Sequence, residues 1–294
     1  METPSPALFT RPKFRQLLAI LVLLWLGIVV IAVLSESIAW LSLDFTAPIT
    51  APIIYLVLFG GSSLWLVGQY RRQGINLKSL IGVLPNPLPW RAVVGLWITL
   101  FIFSMGSFQV SYTALSFVWP KYVETTLQQS IFLGAEEVSA PWIYNTLFMG
   151  VLVIGAPVLE EFLFRGFLLH RWGTRWNLSV AVILSSILFG FLHSNAIGLS
   201  AFGLVMALLY LRSRSLGLVI GVHSLNNAIA AGLEIVTRLS GGELTPSLEA
   251  FRAHWWIGGG MLLLSTPFLV KFIQQNWCFT QAALPYFIQR DRPS

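Results

Sequence analysis

Eight apolar runs, each close to the length a helix needs to cross a bilayer, restrict the fold of this chain more than any motif does. A spanning helix needs about 20 predominantly apolar residues. The runs are Leu17–Trp40, Ala51–Tyr70, Ala92–Val118, Trp142–Leu169, Leu178–Leu192, Ile197–Leu211, Leu216–Val236 and Trp256–Ile273, the fifth and sixth being short. They lack the period-two alternation of a membrane barrel. The expected class is therefore all-α: a polytopic integral membrane helical bundle of about eight transmembrane helices. With 56% hydrophobic and 10% charged residues among 294, and a mean hydropathy of +0.75, a soluble domain of this length could not cover its surface.

The few charges are ordered along the chain. Basic clusters (Arg11, Lys13 and Arg15; Arg71, Arg72, Lys78 and Arg91; Arg171 and Arg175; Arg212 and Arg214; Lys271, Arg290 and Arg292) alternate with loops holding Glu36 and Asp44, Glu124, Glu136 and Glu137, then Glu243 and Glu249. By the positive-inside rule both termini face the cytoplasm, with Lys121, Arg238 and Arg252 as exceptions on the far side. The net charge of +6 forms no continuous basic stripe, so nucleic acid is excluded as a partner. The single cysteine, Cys278, excludes an intrachain disulfide and a thiolate zinc cluster. Ser35-Glu36-Ser37 is a poor cleavage site, so the first run is expected to be retained as a span, and this topology looks bacterial, in the plasma membrane. Residues 75–84 read equally as an interfacial helix or a solvated connector. The 12 tryptophans suit interfacial belts and require no cofactor.

Three of the apolar runs carry polar residues at helical spacing. Glu160 and Glu161 are adjacent, and Arg165 follows Glu161 at i, i+4, on the same helix face. Ionisable groups at membrane depth are costly and usually functional or paired. One carboxylate fixed by arginine and the other free for proton transfer would suit a general base acting on water; a helix-pinning salt bridge is the structural alternative. In the next run Phe189 and His193 stand at i, i+4, which sets a ring beside the imidazole. In the seventh run, Leu216–Val236, His223 and Asn227 share a face and could aim two N–H donors at one point, as an oxyanion hole requires, or act as interhelical glue. With a turn near Gly173, Glu160 and His193 would lie about 20 and 30 Å along their helices, a mismatch that tilt can absorb.

Other candidates fall away. Glu136-Glu137 has Pro141 where an arginine would be needed, and reads as a solvated loop. His170 and His254 flank spans beside Arg171 and Trp255, where interfacial residues are expected. There is no His-Glu-x-x-His sequence and no Gly-x-Ser-x-Gly turn around Ser186, Ser194 or Ser224.

The order Glu-Glu-x-x-x-Arg, Phe-x-x-x-His, His-x-x-x-Asn, spread over about Pro157 to Ala230, resembles the CPBP family of CAAX prenyl endoproteases and bacteriocin-processing or immunity (Abi) proteins. The resemblance implies an intramembrane endopeptidase that hydrolyses a peptide bond of a membrane-associated protein or peptide. Glu160 and His193 would activate water, His223 and Asn227 would bind the oxyanion, and Glu161 with Arg165 would organise the site. It divides the chain into a cytoplasmic N-terminal segment (1–14), N-terminal transmembrane helices (15–140), a CAAX-protease-like catalytic core (141–238) and a last transmembrane helix with a C-terminal tail (239–294), all within one membrane domain. Two carboxylates and two imidazoles could hold Zn²⁺ as ligands; the same groups complete a metal-free mechanism, which is the expectation. The competing readings are a non-proteolytic membrane scaffold or immunity-type protein that keeps the site, and a proton-coupled transporter, against which no inverted repeat is found. Substrate identity and oligomeric state stay open.

Overall fold

The computed structural model describes residues 8–37, 47–130, 132–134, 140–240 and 246–291, and among these the chain is helical with no strand. In chain order the helices are α1 Phe14–Ser37, α2 Thr50–Arg72, α3 Leu77–Ile81, α4 Trp90–Ser116, α5 Pro120–Leu127, α6 Pro141–Arg175, α7 Leu178–Phe191, α8 Ala196–Ser213, α9 Leu216–Leu239, α10 Leu248–Ala253, α11 Trp255–Gln281 and α12 Pro285–Arg290. Asp44, Glu136, Glu137, Glu243 and Arg292 lie outside the described residues.

Seven of these helices (α1, α2, α4, α6, α8, α9 and α11) are long and apolar enough to cross a membrane. The remaining apolar run, α7, has only 14 residues. That is about 21 Å of helix against a hydrocarbon core of about 30 Å, so α7 ends at depth, and irregular backbone there is tolerated only inside protein or beside a cavity. The turn after α7 is where His193 sits.

Burial sorts the helices. Helix α8 is apolar all round and central: Phe202, Val205, Met206, Ala207, Leu208 and Tyr210 are buried. Helix α1 exposes Leu23, Val30 and Val33 along its length, the surface a lipid-facing helix presents. Helices α4 and α11 meet through small residues: a Cβ on Gly106 would fall 2.8 Å from the Gly258 carbonyl oxygen. At Gly190 a Cβ would fall 2.4 Å from the Ala196 carbonyl oxygen, so only glycine lets α7 and α8 close at the tip of their hairpin.

The terminal segments meet at one end of the bundle. Phe9 is buried, with its ring 5.0 Å from Tyr286 and 4.7 Å from His170. His170, expected at an interface, is instead fully buried, because α6 runs on through His170 to Arg175 instead of stopping at Leu169. The turn into α7 falls at residues 176–177, not near Gly173. This removes the depth mismatch: Glu160 stands 15 residues before the end of α6, and His193 stands 15 residues after the start of α7. Residues 75–84 contain the short helix α3, capped by Asn76 and docked: Leu80 is buried, and Tyr210 Oη donates to its carbonyl oxygen at 3.1 Å.

At the opposite end, two of the charges that broke the positive-inside pattern have local partners. Arg252 donates to Ser116 Oγ at 2.8 Å, and Arg238 bonds to Glu234 at 3.3 Å and to Ser130 and the Phe132 carbonyl.

Candidate active site

Helix α6 is irregular on both sides of the glutamate pair. Residues Val151–Gly155 and Phe162–Leu169 are π-helical, flanking the α-helical turn Ala156–Glu161. Pro157 gives a local reason for the first: its ring has no N–H and clashes with the carbonyl one turn back, so the ladder widens there. Widened ladders leave main-chain carbonyls for side chains to satisfy, and such turns are frequent at functional sites. Asn227 Nδ2 donates to the Leu152 carbonyl at 2.9 Å, and His170 Nδ1 lies 2.7 Å from the Arg165 carbonyl in the second π segment.

Glu161 is fully buried and forms the anchored half of the pair. Arg165 Nη1 lies 3.0 Å from both of its carboxylate oxygens, and His223 Nδ1 lies 2.9 Å from Oε1. Arg165 is itself buried; it donates through Nη2 to the Gly203 carbonyl on α8 at 2.9 Å, and its guanidinium carbon sits 5.0 Å from the centre of the Phe189 ring. One arginine therefore ties α6 to α8, and one carboxylate ties α6 to α9.

Glu160 points to a different set of groups. Its Oε1 accepts from Tyr55 Oη on α2 at 2.8 Å. Its Oε2 is buried without a hydrogen-bond partner, 4.0 Å from His193 Nε2 and 3.9 Å from His223 Nε2. Those separations are too long for direct hydrogen bonds and match two groups bridged by a small hydrogen-bonding molecule. A carbonyl can only accept, so the 2.7 Å contact from His193 Nδ1 to the Phe189 carbonyl puts the hydrogen on Nδ1 and leaves the neutral ring's Nε2 lone pair facing Glu160. The Phe189 ring lies 4.7 Å from the imidazole it was expected to flank, and Phe202 packs edge-on to His223 at 5.0 Å.

The turn carrying His193 is held from α4. Asn195 caps α8 by accepting from Gly198 N at 3.1 Å, and its Nδ2 donates to the Ser104 carbonyl at 2.9 Å. Tyr112 Oη donates to the Ser194 carbonyl at 3.0 Å. Around Glu160, His193, His223 and Asn227 lies a cavity of about 330 Å³, also lined by Pro52, Tyr55, Val151 and Leu152. Beside it, toward the termini end, an almost wholly apolar groove of about 610 Å³ runs between α2, α3, α6 and α9, lined by Leu56, Gly60, Leu159 and Ile220 among others.

Five of the six residues singled out by motif (Glu160, Glu161, Arg165, His193 and His223) form one connected cluster, and Asn227 lies on the same cavity wall with one amide hydrogen already given to Leu152. Sequence reading missed Tyr55, Tyr112 and Asn195. Nothing local in the chain couples Tyr55 to a carboxylate 105 positions away. Among the described residues no group of three or more His, Cys, Asp or Glu side chains is arranged to hold a metal ion. The distances of 3.9 and 4.0 Å from Glu160 Oε2 to the two imidazoles exceed the edge of about 3.4 Å in a tetrahedral zinc shell.

Comparison with curated proteins and with solved structures gives no match. Residues 141–229 match the family model described as Rce1-like, type II CAAX prenyl endopeptidase. The match runs from the start of α6 into α9 and takes in all six motif residues.

Proposed function

We propose that this chain is an intramembrane endopeptidase that hydrolyses a peptide bond of a membrane-associated protein or peptide without a metal ion. One observation carries the reading: a buried carboxylate oxygen, Glu160 Oε2, with no hydrogen-bond partner, stands nearly equidistant from two imidazole nitrogens in a cavity large enough for a peptide bond. In this mechanism a water sits among those three atoms, and its hydrogens go to Glu160 Oε2 and His193 Nε2. Glu160 takes the proton as the water oxygen bonds to the scissile carbonyl carbon, and returns it to the leaving amine as the C–N bond breaks. His223, anchored through Nδ1 on Glu161, presents Nε2 to the developing oxyanion and donates to it in the imidazolium form. The second amide hydrogen of Asn227 completes the oxyanion site. Glu161 and Arg165 hold the geometry.

The apolar groove beside the cavity supports a substrate with a lipid-like or apolar anchor that lies between α2, α6 and α9 while its peptide enters the cavity. Both termini are assigned to the cytoplasmic side, a reading supported by the meeting of Phe9 with Tyr286 and by the basic clusters at that end. The test uses purified protein in detergent with two fluorescence-quenched peptides, one farnesylated on a cysteine three residues from its C-terminus and one carrying an unmodified apolar anchor. Cleavage of either by the wild type, abolished in Glu160→Ala and His193→Ala proteins that melt normally, supports the reading. Undiminished cleavage by Glu160→Ala refutes it.

A further inference from the structure

Tyr55 lies outside the family-matched segment, on the second helix, and is the one residue beyond that segment whose side chain bonds directly to the free glutamate among the described contacts. From the juxtaposition of its hydroxyl with Glu160 we infer that Tyr55 is a positioning residue for hydrolysis: it fixes one oxygen of the Glu160 carboxylate so that the other faces both imidazoles. The inference rests on the protease reading above.

A glutamate side chain has three rotatable bonds, and an unanchored carboxylate in a 330 Å³ cavity can turn either oxygen toward water. Here the carboxylate is pinned at one corner. Tyr55 Oη donates to Oε1 at 2.8 Å, and Oε2 then lies 4.0 Å from His193 Nε2 and 3.9 Å from His223 Nε2. The phenol is itself held: its ring stacks on Phe59 at 4.5 Å with an interplanar angle of 11°. The intervening turn, Leu56–Gly60, is π-helical. Two π segments, one on α2 beside Tyr55 and one on α6 ahead of Glu160, thus bracket the hydrogen bond. Local widening of a helix at a functional contact is a recognised pattern. Tyr55 also lines the cavity, and the apolar groove begins at its neighbour Leu56, so the phenol stands where the two spaces adjoin.

The test measures kcat and KM on whichever quenched peptide the wild type cleaves. Tyr55→Phe keeps the stacked ring and removes one oxygen. It is expected to lower kcat about 10- to 100-fold, the range for losing one hydrogen bond to a charged group, with KM changed less than about 3-fold. Phe59→Leu removes the stacking partner and keeps the phenol; it is expected to lower kcat less than Tyr55→Phe does, because the hydroxyl can still reach Oε1. A protein with 3-fluorotyrosine at position 55 preserves the ring, the hydroxyl and the fold and tests the same point if Tyr55→Phe melts early. Its stronger donor makes Glu160 a weaker base, and kcat falls about 2- to 3-fold. Wild-type kcat in a folded Tyr55→Phe protein, or unchanged kcat with 3-fluorotyrosine, overturns the inference. The two failures separate cleanly: an inactive Glu160→Ala beside a fully active Tyr55→Phe removes only the role of Tyr55, whereas an active Glu160→Ala removes the protease reading and this inference together.

Discussion

His193 Nε2 lies 4.0 Å from Glu160 Oε2, although the two side chains stand on different helices and neither is a hydrogen-bond partner of the other. Each is anchored at its far atom, His193 on the Phe189 carbonyl and Glu160 on Tyr55. On the proposed mechanism the gap between them is where the proton is taken. Glu160→Gln preserves shape and removes the base, so turnover should fall about 10²- to 10⁴-fold, with the melting temperature in detergent close to wild type. A Gln variant that melts normally and turns over as fast as wild type would falsify the assignment of the base.

Arg165 joins three elements and is expected to govern stability as well as turnover. Arg165→Ala leaves Glu161 buried without its guanidinium partner and the Gly203 carbonyl without its donor, a loss of about 3–5 kcal/mol by analogy with broken buried pairs. Lysine offers a single point charge in place of a planar fork, so Arg165→Lys recovers only part of this. Combining Glu161→Gln with Arg165→Met removes both charges and should restore much of the melting temperature while turnover stays low, because His223 has lost its anionic acceptor. Thermal melting and turnover measured on all three proteins check this, and a normal melting temperature for Arg165→Ala would count against it.

Asn227 has two separable duties. Its contact with the Leu152 carbonyl supports the π turn of α6, and its remaining amide hydrogen is assigned to the oxyanion. Asn227→Asp keeps the size but removes both amide donors, and is expected to lower kcat about 10²- to 10³-fold. If the residue acts only as glue between α6 and α9, the melting temperature drops and kcat of the surviving folded fraction is unchanged.

Gly190 tests the hairpin tip. A methyl group there meets Ser200 Oγ at 2.1 Å and the Ala196 carbonyl oxygen at 2.4 Å, and the carbonyl cannot swing away without breaking the start of α8. Gly190→Ala should therefore displace the turn bearing His193, costing about 1–3 kcal/mol of stability as overpacking does, and lower both turnover and melting temperature. Gly221→Ala, where no atom lies within 4 Å of the added methyl, serves as the control and should be neutral.

Metal dependence is checked by incubating the purified protein with EDTA and with 1,10-phenanthroline, then measuring turnover and bound zinc. The metal-free mechanism requires unchanged turnover at vanishing zinc content. Loss of activity that returns on adding Zn²⁺ would replace it with zinc chemistry on the same residues.

The cluster on α6 was legible because its spacing is local: Glu161 and Arg165 meet across one helical turn, as do Phe189 and His193. Whatever depends on a distant helix was not. Tyr55 reaches Glu160 from α2, and Tyr112 and Asn195 couple the His193 turn to α4; no periodicity encodes these contacts. The depth estimate failed for a related reason. It treated Gly173 as a helix end, whereas α6 stays helical to Arg175, with Leu178 and Leu284 close beside Gly173. The burial of His170 under Phe9 escaped notice because a histidine beside an arginine looks interfacial until the tail folds over it.

Hydrophobic length and composition by themselves determined that this is a helical membrane protein, since a backbone without water must satisfy its hydrogen bonds within each segment. They also brought out six polar residues whose presence in such surroundings needs a reason. Tertiary structure alone decided that His223 joins Arg165 on Glu161, that Glu160 Oε2 faces two imidazoles from other helices, and that a tyrosine from outside the matched segment holds the other oxygen of Glu160. Helical periodicity fixes which residues share a face of one helix; which faces meet depends on where small residues, prolines and widened turns allow separate helices to approach.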